Sequence, residues 1–158
     1  TVTGPELRKP GNYRVALGTP LRMLIEMAGG IPENTGKVIL GGPMMGKAIV
    51  KLDAPTMKGV SGLLILPMEQ ARRPKTEPCI RCGECVTACP MGLEPYLIAT
   101  LSRFSRWEDA EAEKIMNCIE CGSCSFACPS SRPILDFIRL GKSTVGAAIR
   151  ARAQQPNK

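Results

Sequence analysis

One pattern occurs twice in this chain and constrains its fold more than any other feature. Cys79-Ile-Arg-Cys82-Gly-Glu-Cys85-Val-Thr-Ala-Cys89-Pro90 is matched by Cys118-Ile-Glu-Cys121-Gly-Ser-Cys124-Ser-Phe-Ala-Cys128-Pro129, and the two use all 8 cysteines. Both read C-x2-C-x2-C-x3-C-P, and the repetition reaches Gly83 and Gly122, Ala88 and Ala127. Three thiolates at i, i+3 and i+6 can wrap one loop around three corners of an iron–sulfur cubane. A glycine beside the middle ligand keeps the backbone close enough for amide N–H groups to face sulfur. The fourth cysteine, followed by proline, is turned away from that loop, and in two-cluster ferredoxins it ligates the other cluster. The spacing therefore predicts two [4Fe–4S] clusters, one on Cys79, Cys82, Cys85 and Cys128, the other on Cys118, Cys121, Cys124 and Cys89.

Two other uses of cysteine compete. A disulfide framework suits small secreted domains, but the spacing here is too regular and the first residues, TVTGPELRKPG, lack the layout of a secretion signal. Zinc sites need two C-x2-C hooks per metal, which would leave one cysteine of each motif idle. A zinc-dependent interaction module is the alternative from a different functional class. With 0 histidines, mixed Cys/His sites and His-based acid–base catalysis are excluded. No nucleophile or substrate-pocket signature stands out, so no catalytic residue is assigned, and electron transfer is the function the motifs point to. A cubane exchanges one electron and a nicotinamide two, so a nicotinamide donor would need a flavin in between.

The formal charge of +7 treats cysteines as neutral; two cubanes at about −2 each bring it to roughly +3. The basic excess lies at Arg72, Arg73 and Lys75, and at Lys142, Arg150, Arg152 and Lys158. It reads as a solvated surface, or as a docking face for an acidic redox protein or an anionic membrane. A nucleic-acid partner is not expected, because no aromatic residues interleave with these charges. No apolar run approaches the roughly 20 residues needed to span a bilayer. The abrupt start suggests a fragment of a longer polypeptide.

Texture divides the chain. Residues 1–68 hold Gly-punctuated apolar runs and read as a small α+β domain. Tyr13–Leu17 alternates like a strand. Thr19-Pro20 resembles an N-cap with a first-turn proline, Leu21, Leu24, Ile25 and Ala28 form a helix face, and Gly29-Gly30 ends it. Val38–Leu40, Ala48–Val50 and Leu63–Leu66 read as strands. Residues 69–78, EQARRPKTEP, read as a linker, 79–142 as a mainly helical two-cluster domain, and 143–158 as a C-terminal helix or tail. Helices are expected after Pro95 with Leu97, Leu101 and Phe104 inward, from Glu108-Asp109 through Ile115 and Met116, and from Pro133 past Gly141 to Val145 and Ile149. In so small a domain the clusters are expected to stand in for a missing core.

The remaining features read blandly. Gly41-Gly42-Pro43-Met44-Met45-Gly46 lacks both phosphate-loop patterns and is taken as a turn between strands, with no dinucleotide site. Met44 and Met45 are expected in a core or hinge, Trp107 between helices, and Asp109, Glu111 and Glu113 on a solvated helix face.

The order of features, with LGTPLRMLIEMAGG and KVILGGPMMG ahead of CIRCGECVTACP and CIECGSCSFACP, resembles the C-terminal part of the C subunit of the Rnf/Rsx ion-translocating electron transport complexes. The resemblance covers nearly the whole chain. It implies a soluble-ligand-binding β-grasp domain followed by a two-cluster ferredoxin domain, in a peripheral subunit on the cytoplasmic side of the bacterial inner membrane. It further implies NADH oxidation through FMN in an N-terminal region absent here, and partners that include membrane subunits and a ferredoxin-like subunit. The eight cysteines all match the family pattern. Cobalamin reductases of bacterial microcompartments share this module order and remain an alternative. The NADH-binding subunit of respiratory complex I also has a β-grasp module, but only one cluster motif.

Overall fold

The computed structural model describes residues 1–154; the end of the expected tail, with Lys158, lies outside the described residues. The architecture is α+β. The chain divides into two compact units, Thr1–Arg73 and Pro74–Lys158.

The first unit runs β1 (Val2–Thr3), α1 (Leu21–Met27), β2 (Thr35–Leu40), β3 (Lys47–Ile49), β4 (Leu63–Pro67) and α2 (Met68–Ala71). The sheet order is β1-β4-β2-β3, with β1 parallel to β4 and the other neighbours antiparallel. Along β4, Leu63, Ile65 and Pro67 alternate inward as period two demands. Leu63 and Ile65 share a core with Val2, Val38, the α1 residues Leu21, Leu24 and Ile25, and Ala28 just after the helix. Each large aliphatic side chain among them contributes about 1.5–3 kcal/mol when fully buried.

Four expectations for this unit are corrected. Tyr13–Leu17 is not a strand: Val2 exchanges both backbone hydrogen bonds with Gly11 instead, leaving the stretch beyond it irregular. Its alternation records Tyr13 and Val15 packing against the core, with the Tyr13 hydroxyl donating to the Lys9 carbonyl at 2.5 Å. Thr19 does not cap α1, because its hydroxyl donates backwards to the Ala16 carbonyl. The first-turn N–H groups of Leu21 and Arg22 are met by the carbonyls of Ala54 and Leu52. Met44 and Met45 are exposed rather than core. The turn they belong to does join β2 to β3, closed by the Gly46 N–H on the Gly42 carbonyl. β3 stops at Ile49, and Val50 points to solvent. Gly29 and Gly30 end α1 at positive φ, as their position suggests.

The second unit runs α3 (Glu84–Thr87), α4 (Pro95–Arg103), α5 (Trp107–Ala112), a 3-10 turn (Ile115–Asn117), α6 (Ser123–Phe126) and α7 (Ile134–Gln154). Ile98, Leu101, Ala110, Ile115, Ile138 and Val145 form an apolar core among α4, α5 and α7, with Trp107 packed against it. The clusters therefore need not supply all of the packing, contrary to the expectation. The buried face of α4 is Ile98, Ala99, Leu101 and Ser102, and Phe104 is exposed beyond the helix end. α5 stops at Ala112, short of Met116: Lys114 at φ 58° breaks the helix and lets Ile115 turn fully inward. α7 continues through Gly141, which lies where α7 meets α4, with Ser102 and Ile115 alongside. Among the described residues no helix is long and apolar enough to cross a membrane.

Candidate iron–sulfur site

Each cysteine motif folds the same way. The residue two after the first cysteine, Arg81 or Glu120, has φ 58° or 57°, and the glycine two further on, Gly83 or Gly122, has φ 82° or 85°. These paired left-handed residues curl the loop so that N–H groups face inward. The Glu120 N–H lies 3.4 Å from Cys118 Sγ, and the Arg81 N–H favours the Cys79 thiolate in the first motif. A one-turn helix follows, α3 or α6, carrying the third cysteine inward: Cys85 and Cys124 are both buried.

The cysteines gather around two cavities. One, of about 610 Å³, is lined by Cys79, Cys82 and Cys85 with Cys128 from the other motif. The second is lined by Cys118, Cys121 and Cys124 with Cys89. Among the described residues no three donors are gathered closely enough for one metal ion; the sulfurs ring a space instead. Four thiols with backbone N–H groups turned towards them are the donor set a cubane takes, and the first cavity has the room. The second, at about 20 Å³, holds little more than one water. A cluster there would need its four sulfurs to stand further apart.

Two stretches of the chain each match a family model: residues 1–48 an SLBB domain and residues 71–129 a 4Fe-4S dicluster domain. The chain is 42% identical over 145 residues to the C subunit of the Na(+)-translocating ferredoxin:NAD(+) oxidoreductase complex of Acetobacterium woodii, covering 92% of this chain and 33% of that protein. It is 46% identical over 96 residues to the C subunit of the ion-translocating oxidoreductase complex of Rhodobacter capsulatus, 61% of this chain and 18% of that one. With the C subunit of the proton-translocating ferredoxin:NAD(+) oxidoreductase complex of Clostridium ljungdahlii it shares 42% over 113 residues, 72% and 25% of the two chains. This chain is a homologue of the C subunit of the ion-translocating oxidoreductases. It spans a third or less of the length of these relatives.

In this homologue of the C subunit the two sites differ in surroundings. Cys79 and Cys82 are exposed, whereas Cys118, Cys121, Cys124 and Cys89 are all at least partly buried. The Arg81 N–H, and after it the Arg132 guanidinium, hold the Cys79 thiol below its ordinary range. Ser123 does the same for Cys121. Burial pushes Cys85 and Cys118 up and raises Cys124 to about 11.

Several residues at the site were not singled out from sequence. Lys142, taken there as surface charge, donates to the Cys118 carbonyl at 2.6 Å and pairs with Glu120 at 3.3 Å. Arg139 bonds the same carboxylate at 3.1 Å. Together they tie the second loop to α7. Arg152, also counted as surface, pairs with Glu111 at 2.6 Å, so Glu111 joins α5 to α7 rather than facing only solvent. Arg132 lines the first cavity. The one signal that could have found Lys142 and Arg139 is their i, i+3 spacing on a helix that starts just after the second motif.

Proposed function

We propose that this chain is the two-cluster electron-transfer portion of an Rnf-type C subunit, passing single electrons within an ion-translocating NADH:ferredoxin oxidoreductase complex. The observation that carries the reading is the pair of cavities, each ringed by three cysteines of one motif and the fourth of the other. Cys79, Cys82, Cys85 and Cys128 hold one [4Fe–4S] cluster, and Cys118, Cys121, Cys124 and Cys89 hold the second. When bound, each cluster supplies a one-electron couple. The protein contributes thiolates, N–H groups aimed at sulfur, and helices α4 and α7 that hold the two motifs together. Because the fourth ligand is exchanged, neither loop can move without disturbing the neighbouring site.

The first unit serves as a β-grasp module; the parallel β1–β4 pair with one helix against the sheet supports this. NADH oxidation through FMN is not assigned to these residues. The chain sits peripherally on the cytoplasmic side of the inner membrane, against membrane subunits and a ferredoxin-like subunit. The test is iron and acid-labile sulfide analysis with electron paramagnetic resonance on anaerobically prepared, dithionite-reduced protein. About eight irons and eight sulfides per chain are expected, with spin-coupled signals from neighbouring cubanes. Zinc with no such signals, in protein never exposed to air, would refute the reading.

A further inference from the structure

We infer that Arg132 sets the potential of the cluster on Cys79, Cys82, Cys85 and Cys128 and holds it above that of the other cluster, so that this site takes the first electron. The inference rests on the two-cluster reading with exchanged fourth ligands. Four residues after the last cysteine of each motif stand Leu93 and Arg132. In both cases the preceding residue has positive φ, Gly92 at 61° and Ser131 at 49°, so the same turn delivers the two side chains to equivalent places. Leu93 lines the cavity of Cys89, Cys118, Cys121 and Cys124. Arg132 lines the other together with Cys79, where its positive charge favours the Cys79 thiolate.

The rest of the lining follows the same division. Around the second site it is carried by Met91, Leu93, Ile98, Leu135 and Ile138, all apolar. Around the first it includes Arg81, Tyr96, Thr100 and Ser130 beside Arg132. Reduction adds one electron to a cluster and makes it one charge more negative, with no bond formed or broken. A cation in contact and a polar, open surround stabilise that added charge, and a dry apolar shell does not. The loops do not oppose this order. Arg81 lines the first cavity. On the second, Arg139 and Lys142 outnumber Glu120 but are engaged with it and with the Cys118 carbonyl. Arg132 against Leu93, with the greater exposure of Cys79 and Cys82, decides it.

The experiment is an anaerobic redox titration of the cluster-loaded chain followed by electron paramagnetic resonance, on the parent protein and on Arg132→Leu, Arg132→Lys and Leu93→Arg. Cys124→Ser identifies which couple belongs to the second site. Arg132→Leu is expected to lower the reduction equilibrium of the upper couple about tenfold, 59 mV for one electron, with iron content and the lower couple unchanged. Arg132→Lys should retain most of the upper potential, and Leu93→Arg should raise the lower couple. The inference is overturned if Arg132→Leu leaves the upper couple in place, or if the couple that Cys124→Ser abolishes is the upper one. Should Arg132→Leu fail to load, a lower couple unmoved by Leu93→Arg overturns it equally. Parent protein with iron for fewer than two clusters would instead refute the underlying two-cluster reading before any titration.

Discussion

Gly141 is the point at which the fold should be most sensitive to a single methyl group. A Cβ placed there would stand 2.8 Å from Ile115 Cδ1 and 2.9 Å from Ser102 Cβ, and closer still to Ser102 Oγ. All of these belong to fully buried side chains, so neither neighbour can swing into solvent. Replacing glycine by alanine inside a helix gains about 1 kcal/mol of helix propensity, and overpacking costs roughly 1–3 kcal/mol. Contacts below 3 Å on two sides put Gly141→Ala at the upper end, a net loss of about 1–2 kcal/mol. For a unit of this size that lowers the midpoint by roughly 5–15 °C. The effect should reach the clusters, because α4 and α7 begin at Pro95 and Ile134, a few residues after the two motifs, and their crossing sets how the motifs face one another. Ser102 Oγ is buried with no hydrogen-bond partner among the described residues. Ser102→Ala alone should therefore be neutral or stabilising, and in combination it should recover part of the Gly141→Ala loss. The assay is anaerobic thermal unfolding of the four proteins of this double-mutant cycle, with visible absorption to follow cluster release. A Gly141→Ala protein melting within about 2 °C of the parent, or one whose loss is unchanged by Ser102→Ala, would refute the close-packed crossing.

Other consequences are open to measurement. Cys89→Ser should damage the cluster of Cys118, Cys121 and Cys124 more than that of its own motif; spectra showing selective loss of the Cys79, Cys82 and Cys85 cluster would overturn the exchanged assignment. Thiolate is the ligand form, so cluster assembly releases protons and is favoured as pH rises. Each site has one lowered thiol, Cys79 or Cys121, but the second has two raised ones, Cys118 and Cys124, the latter to about 11, against Cys85 alone at the first, so assembly at the second site should need the higher pH. Equal pH dependence of the two, read by visible absorption in Cys85→Ser and Cys124→Ser proteins, would argue against this. Glu120→Ala leaves Lys142 and Arg139 without their shared carboxylate and should speed chelator-driven iron loss at the second site several-fold; an unchanged rate would mean that the network does not hold the loop.

Much of this was legible because ligand spacing is a local property. The curl of each motif follows from the left-handed residues beside its cysteines, and Pro133 and the apolar period correctly marked α7 through Gly141. The chain is less transparent where tertiary partners decide. Nothing local distinguishes Tyr13–Leu17 from a strand, because its alternation is real and only the engagement of Val2 with Gly11 denies it a place in the sheet. The apolar period running to Met116 does not reveal that Lys114 will adopt positive φ so that Ile115 can fill the core. Thr19 has the right chemistry for a cap and spends it on Ala16, since the loop at Leu52–Ala54 already serves the helix end.

The functional asymmetry lies between these cases. The two motifs look interchangeable when aligned on their cysteines, and the position that separates their environments comes after the proline, where a search for ligands stops. Extended by four residues, the alignment opposes Leu93 to Arg132, and the exchanged fourth cysteine explains why each acts on the other motif's site. The segment carrying Cys128 across to the first cavity also carries Arg132, just as the segment carrying Cys89 brings Leu93 to the second. A duplicated motif can therefore hold two chemically identical cofactors and still order them in potential, by varying a residue that contributes no ligand. If that ordering holds, exchanging Leu93 and Arg132 in one protein should narrow or reverse the gap between the couples with both clusters intact, and a gap unaltered by the double exchange would place the control of potential elsewhere.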